Sequence, residues 1–215
     1  LKLNTPYNIC IIYLGFGAGL ALNEEEIYYI PVEGMITEGY LCGKLEGLLH
    51  KVSESNTENI MKSNTDDVKK DPENEISDVN TDGTLKYDKK CVCALDVKAL
   101  LKHIKSDDPI AVFDAGVAAY LLNPLKNNYT WEDVAREHLD LMVDEKADQE
   151  IKACYEAYTN YASVEVLSRK LADTKMDTLF REIEMPLVFT LFDMEQNGIR
   201  VEAEALKQYG NQLAG

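Results

Sequence analysis

The chain of 215 residues holds five cysteines and three histidines, the side chains best suited to nucleophilic or metal chemistry. Neither set is spaced for it. A zinc site asks for Cys-x-x-Cys or Cys/His pairs, and Cys10, Cys42, Cys91, Cys93 and Cys154 supply none. Cys91-x-Cys93 puts two thiols on one face of a strand, which reads as reduced, buried cysteine in a cytosolic protein. His50, His103 and His138 lack partners at the spacing of a triad or a zinc site and read as surface helix residues. Gly15-x-Gly17-x-Gly19 follows an apolar run, as a dinucleotide-binding turn would. Its spacing is wrong, however, and a strand follows it, so it reads as a turn or bulge between strands. Glu24-Glu25-Glu26 reads as solvated charge in a turn. Asp96 and Asp114 could each ligate a metal or cap a helix, and their positions ahead of apolar helical runs favour capping.

The elements that must position these groups follow from periodicity. Residues 7–32 read as a β-hairpin or meander: Ile9, Ile11 and Ile12 open one run, Leu20-Ala21-Leu22 another, and Ile27 to Ile30 a third that closes at Pro31. Leu41, Leu45, Leu48 and Leu49 mark a short helix over 41–50. Residues 53–90 are dominated by Ser, Asn, Thr, Asp, Glu and Lys without apolar period. Such a stretch buries too little surface to offset its ordering entropy, and it is read as a mobile acidic and polar insertion. Cys91 to Leu95 reads as a buried strand, followed by a helix over 97–104. Ile110 to Phe113 is a strand or helix entry, with a helix from Asp114 to Leu122 stopped by Asn123-Pro124. Thr130 with Asp133 approaches a capping box for a helix carrying Val134, Leu139 and Leu141. From Asp144 the pattern is helical nearly to the end. Leu179, Ile183, Leu187, Leu191 and Met194 form a stripe read as the buried face, interrupted at Pro186 and closed by Gly198. A last helix spans 203–213. Strands, then strand–helix alternation, then helices predict an α/β or α+β layered domain with a helical tail.

The net charge is −16 with 46% hydrophobic residues. Nucleic-acid backbones are bound through Lys and Arg, so a chain this acidic is not expected to hold DNA tightly alone. No apolar run is long enough to span a bilayer and no signal peptide is evident. A monomeric, cytoplasmic chain without membrane partners is expected.

Two segments carry a specific resemblance. The first is Val112-Phe113-Asp114-Ala115-Gly116-Val117-Ala118-Ala119-Tyr120-Leu121-Leu122-Asn123-Pro124 with Tyr129-Thr130-Trp131-Glu132-Asp133-Val134-Ala135. The second is Ile183-Glu184-Met185-Pro186-Leu187 with Met194-Glu195-Gln196-Asn197-Gly198-Ile199-Arg200-Val201. In this order they resemble the exonuclease block and the polymerase-junction block of bacterial family A DNA polymerases. Gly19 to Leu22 and Tyr28 to Val32 add a weaker match. The resemblance implies a ribonuclease-H-like 3′–5′ exonuclease fold, a mixed sheet flanked by helices, over 1–180, and the start of a polymerase domain over 181–215. It implies DNA as a partner of the full polymerase, and the polymerase domain as a partner in cis.

Active members of that family hold two divalent metals with four carboxylates. Two metals about 3.5–4 Å apart activate water and stabilise the leaving oxygen, and hard cations require oxygen ligands. The first motif, Asp-x-Glu on the first strand, falls on Asn8 to Tyr13, which contains no acid. The second falls on Asp96-Val97-Lys98-Ala99-Leu100: Lys98 is kept and Leu100 stands at the carboxylate position. The third, Tyr-x-x-x-Asp, gives Tyr158 and Ala162 when aligned on Leu167. A less favoured register gives Tyr161 and Glu165 and retains an acid. The resemblance thus leaves Asp96, Tyr158 and, in the less favoured register, Glu165 as candidate remnants of a site without a full ligand set. A degenerate, non-catalytic exonuclease domain with no cofactor is expected; Mg2+ or Mn2+ would be required only if the exonuclease were active.

Overall fold

A computed structural model describes residues 9–13, 15–65, 91–106, 108–126, 128–144 and 146–214. Five strands form one mixed sheet in the order β3-β2-β1-β4-β5. They are β1 (Ile9–Tyr13), β2 (Gly17–Ala21), β3 (Ile27–Pro31), β4 (Val92–Ala94) and β5 (Val112–Asp114). The first three make an antiparallel meander. β4 then joins β1 in parallel and β5 joins β4 in parallel. Central strands covered on both sides read as continuous apolar runs, and Cys10, Ile11, Val92 and Cys93 are fully buried. Cys10 lies directly across from Cys93.

The α-helices among the described residues are α1 (Glu38–Thr65), α2 (Val97–Leu101), α3 (Ala115–Leu122), α4 (Trp131–His138), α5 (Gln149–Asp173), the single turn α6 (Asp177–Leu179), α7 (Met185–Asn197) and α8 (Ala203–Ala214), and a 3-10 turn at Pro109–Ala111 precedes β5. Helix α5 lies across β1, β2, β3 and β4, with α3 and α4 packed against it, while α2 and α7 meet at β5. Close approach of α5 to the sheet explains Gly19 of β2, whereas a Cβ on Gly17 would meet the Tyr29 ring of β3. A Cβ on Gly19 would stand 2.5 Å from the Ala153 carbonyl oxygen. The facing stretch of α5 is correspondingly small, with Ala153 and Ala157 buried. Only Gly15, at φ +79°, serves the turn that the sequence suggested for all three.

Helix caps fall where the side chains placed them. Asp96 accepts the Ala99 N–H at 2.8 Å, Asp114 accepts the Val117 N–H at 2.8 Å, and Thr130 with Asp133 completes a reciprocal capping box. Helix α1 starts earlier than expected, because Thr37 caps it through the Tyr40 N–H. It buries Leu41, Leu45, Leu49 and Val52 and continues to Thr65, so 53–65 is helix rather than unstructured insertion. The rest of that insertion, 66–90, lies outside the described residues. Two helices are shorter than expected: α2 stops at Leu101, and Leu139 and Leu141 lie beyond the end of α4.

The largest departure concerns the stripe at 179–194. A π turn over Phe180–Glu184 precedes α7, and Pro186 lies in the first turn of α7. A π turn inserts one residue per turn, so the residue meeting the core after Phe180 is Met185 rather than Glu184. Phe180, Met185 and Val188 are buried, whereas Ile183, Leu187, Leu191 and Met194 are exposed. The stripe read as buried is therefore the outer face of α7.

Candidate functional site

The carboxylate positions of the resemblance map onto β1, α2 and α5. On β1, Ile9, Cys10, Ile11 and Ile12 are buried hydrophobes; Asn8 lies outside the described residues. Leu100 is buried at 6% exposure inside α2. Its position is filled by core packing. Asp96, exposed at the N-cap, spends one carboxylate oxygen on the Ala99 N–H. Tyr158, Ala162 and Glu165 follow i, i+4, i+7 spacing on α5. They sit away from the buried face made by Ala153, Ala157, Asn160, Val164, Leu167 and Leu171. Tyr158 and Ala162 are half-buried, Tyr161 packs against the core, and Glu165 is exposed and accepts from Arg169 Nη2 at 2.7 Å. Among the described residues no group of three or more His, Cys, Asp or Glu side chains is placed to hold a metal ion. The described side chains at these positions therefore do not fit a two-metal centre.

Lys98, the retained motif residue, points elsewhere. Its Nζ donates to Glu195 Oε1 at 2.6 Å, joining α2 to α7. That hydrogen bond raises the Lys98 pKa, and the same contact lowers that of Glu195. The pair is partly exposed, where such contacts contribute little to stability.

Asp114 is the most unusual acid. It is almost wholly buried. Oδ1 accepts the Val117 N–H and Oδ2 the Val97 N–H, both at 2.8 Å. Burial pushes its pKa up to about 7, against the pull of its backbone hydrogen bonds. This is a structural acid shared by the first turns of α2 and α3. Its second bond was not foreseen, because nothing local in the sequence pairs residue 114 with residue 97. Glu156 is also raised to about 7, by burial and then by Glu132. Asp133 goes the other way: burial pushes it up, but Lys126 and the Thr130 donors outweigh this and bring it to about 2.

The histidines divide. His50 pairs with Glu54 at 3.5 Å and His103 with Glu38 at 3.7 Å at the surface. His138 is not a surface residue as read: it is half-buried against Lys170, with Nε2 enclosed and unpartnered. Burial and then Lys170 lower its pKa. Cys10, Cys42, Cys91 and Cys93 are buried thiols outside any disulfide, and burial raises the pKa of Cys42, Cys91 and Cys93. Raised thiol pKa opposes thiolate chemistry. Glu24, Glu25 and Glu26 are exposed, organised by Asn23, whose Oδ1 accepts the Glu25 and Glu26 N–H groups. Among the described residues no helix is long and apolar enough to cross a membrane.

No family model matches the chain. Among solved structures, the POL domain of Pol1 from M. smegmatis, in complex with DNA primer-template and dNTP, matches with a TM-score of 0.61 at 16% identity. That likeness, one of fold, covers 99% of this chain and 32% of the other. The chain is also weakly homologous to a bacterial enzyme: it is 26% identical over 218 aligned positions to the DNA polymerase I of Borreliella burgdorferi, a match that takes in 89% of this chain and 19% of that protein's length.

Proposed function

We propose that the chain is part of a DNA polymerase I: a ribonuclease-H-like exonuclease domain over 1–180 that no longer trims DNA, and the start of the polymerase domain over 181–215. Its role is to support the polymerase module in cis. One observation carries this reading: Leu100 fills a core position where the resemblance requires a metal-binding carboxylate. The apolar β1, Ala162 at the third position and the mixed sheet flanked by helices agree with it. So does the net charge of −16, which leaves DNA contact to the rest of the polymerase. Reduced, buried cysteines suit a cytoplasmic enzyme.

The competing reading is an active two-metal exonuclease using the Tyr161/Glu165 register. Calorimetric titration with Mg2+ and Mn2+, alongside degradation of a 3′-labelled single strand, separates the two. The proposed reading expects neither binding nor trimming. Tight binding with 3′ trimming that Glu165→Gln abolishes would overturn it.

A further inference from the structure

We propose that α8 is a strap that closes onto the outer face of α7, forming an antiparallel helical hairpin across the link 198–202. Two unpartnered apolar faces stand close together in the chain. On α7 they are Leu187, Leu191 and Met194; on α8, Leu206, Tyr209 and Leu213, with exposures from 40% to 73%. The spacing on α7 is four residues then three, and on α8 three then four. An antiparallel hairpin centred on Arg200 therefore sets Met194 against Leu206, Leu191 against Tyr209 and Leu187 against Leu213. The same register brings Asp193 opposite Lys207 and Thr190 opposite Gly210, an opposite-charge pair and a small-residue contact.

The backbone permits the reversal. Antiparallel helices are joined by about 2–5 residues, which the stretch between Asn197 and Ala203 supplies. Gly198 adopts φ +65°, open to a residue without a Cβ. A helix of 12 residues such as α8 is marginal in water without packing. The π turn at Phe180–Glu184 is what rotates the α7 stripe outward to receive it. Both faces lie in the span 181–215 that the proposed function assigns to the polymerase domain, but neither includes a carboxylate position of the exonuclease resemblance, so a failed strap and a retained exonuclease activity are separate outcomes.

The test is hydrogen–deuterium exchange on the full chain, with Leu191→Asp and Tyr209→Asp variants. Closure predicts that amides of 203–213 exchange at least about tenfold more slowly than an unstructured peptide. Both variants should remove that protection while β1 to β5 keep theirs. Tyr209→Asp lies outside the sheet domain and cannot act by unfolding it. Three results would overturn the proposal: unprotected 203–213 in the parent chain, protection that survives both substitutions, or protection that appears only on raising protein concentration, which would make a second copy the partner.

Discussion

The Val97 N–H donates to Asp114 Oδ2 at 2.8 Å across a sequence separation of 17 residues. Because Asp114 Oδ1 also accepts the Val117 N–H, one buried carboxylate satisfies first-turn donors of two helices. Four N–H groups at each helix start lack intrahelical acceptors, and α2 and α3 begin side by side at the ends of β4 and β5. Gly116 N–H donates to the Leu95 carbonyl at 3.0 Å and closes the same junction.

Asp114→Asn tests this junction and its pH dependence together. The amide keeps one acceptor oxygen and leaves one buried N–H unanswered, a cost of about 1–3 kcal/mol. The folded-state pKa of Asp114 is raised from 3.8 to about 7. Its contribution to stability is thus fully present below the lower value and is lost as pH rises through the upper one. The penalty for Asp114→Asn, measured by urea unfolding, should be larger at pH 4.5 than at pH 7.5. A penalty independent of pH would show that the carboxylate ionises as freely in the folded chain as in the unfolded one.

The π turn makes opposite predictions for two neighbouring hydrophobes. Phe180 is 2% exposed and its ring centroid lies 5.0 Å from that of Phe113. Phe180→Ala should cost about 3–5 kcal/mol. Leu187, on the outer face, is 40% exposed, and Leu187→Ala should cost less than half as much by the same denaturant measurement. The reverse ranking would restore the simple i, i+4 stripe and remove the π turn from the folded state.

Gly19→Ala probes the contact between β2 and α5. The added methyl group would meet the backbone carbonyl of Ala153, which cannot rotate away. Overpacking of this kind costs about 1–3 kcal/mol. Gly43→Ala meets nothing and sits within α1, so it should stabilise slightly through helix propensity. Thermal melts of the two variants should shift in opposite directions.

The pattern of what was legible in the sequence has physical causes. The caps at Asp96, Asp114 and Thr130 were readable because a cap is local: a short polar side chain beside an apolar helical run. The meander of β1 to β3 was readable because turn residues separate its apolar runs. The stripe at 179–194 misled because a periodic reading assumes an unbroken α-helix, and one π turn moves the buried face by one residue. His138 misled because its burial comes from α5, which is distant in sequence. The partner of Lys98 was hidden for the same reason, since Glu195 lies on the far side of α5 in the chain. At the carboxylate positions that the resemblance implies, Leu100 is enclosed in the core and Ala162 only half so, a difference that only the packing of α2 and α5 reveals.

That difference yields a last prediction. If the site has decayed into core packing, restoring acids should be tolerated unequally. Leu100 is 6% exposed, and an ionised carboxylate there would lose solvation without a partner. Leu100→Asp should therefore destabilise the chain by about 3–5 kcal/mol near neutral pH, less in acid where the new group is protonated. Ala162 is half-buried on the outward side of α5, and Ala162→Asp should cost about 1 kcal/mol or less, mostly through helix propensity. Urea titrations at pH 5 and pH 7.5 measure both. Near-equal penalties would mean that Leu100 faces a solvated cleft still able to accept a charge, which would weaken the case for a degenerate centre at its strongest position.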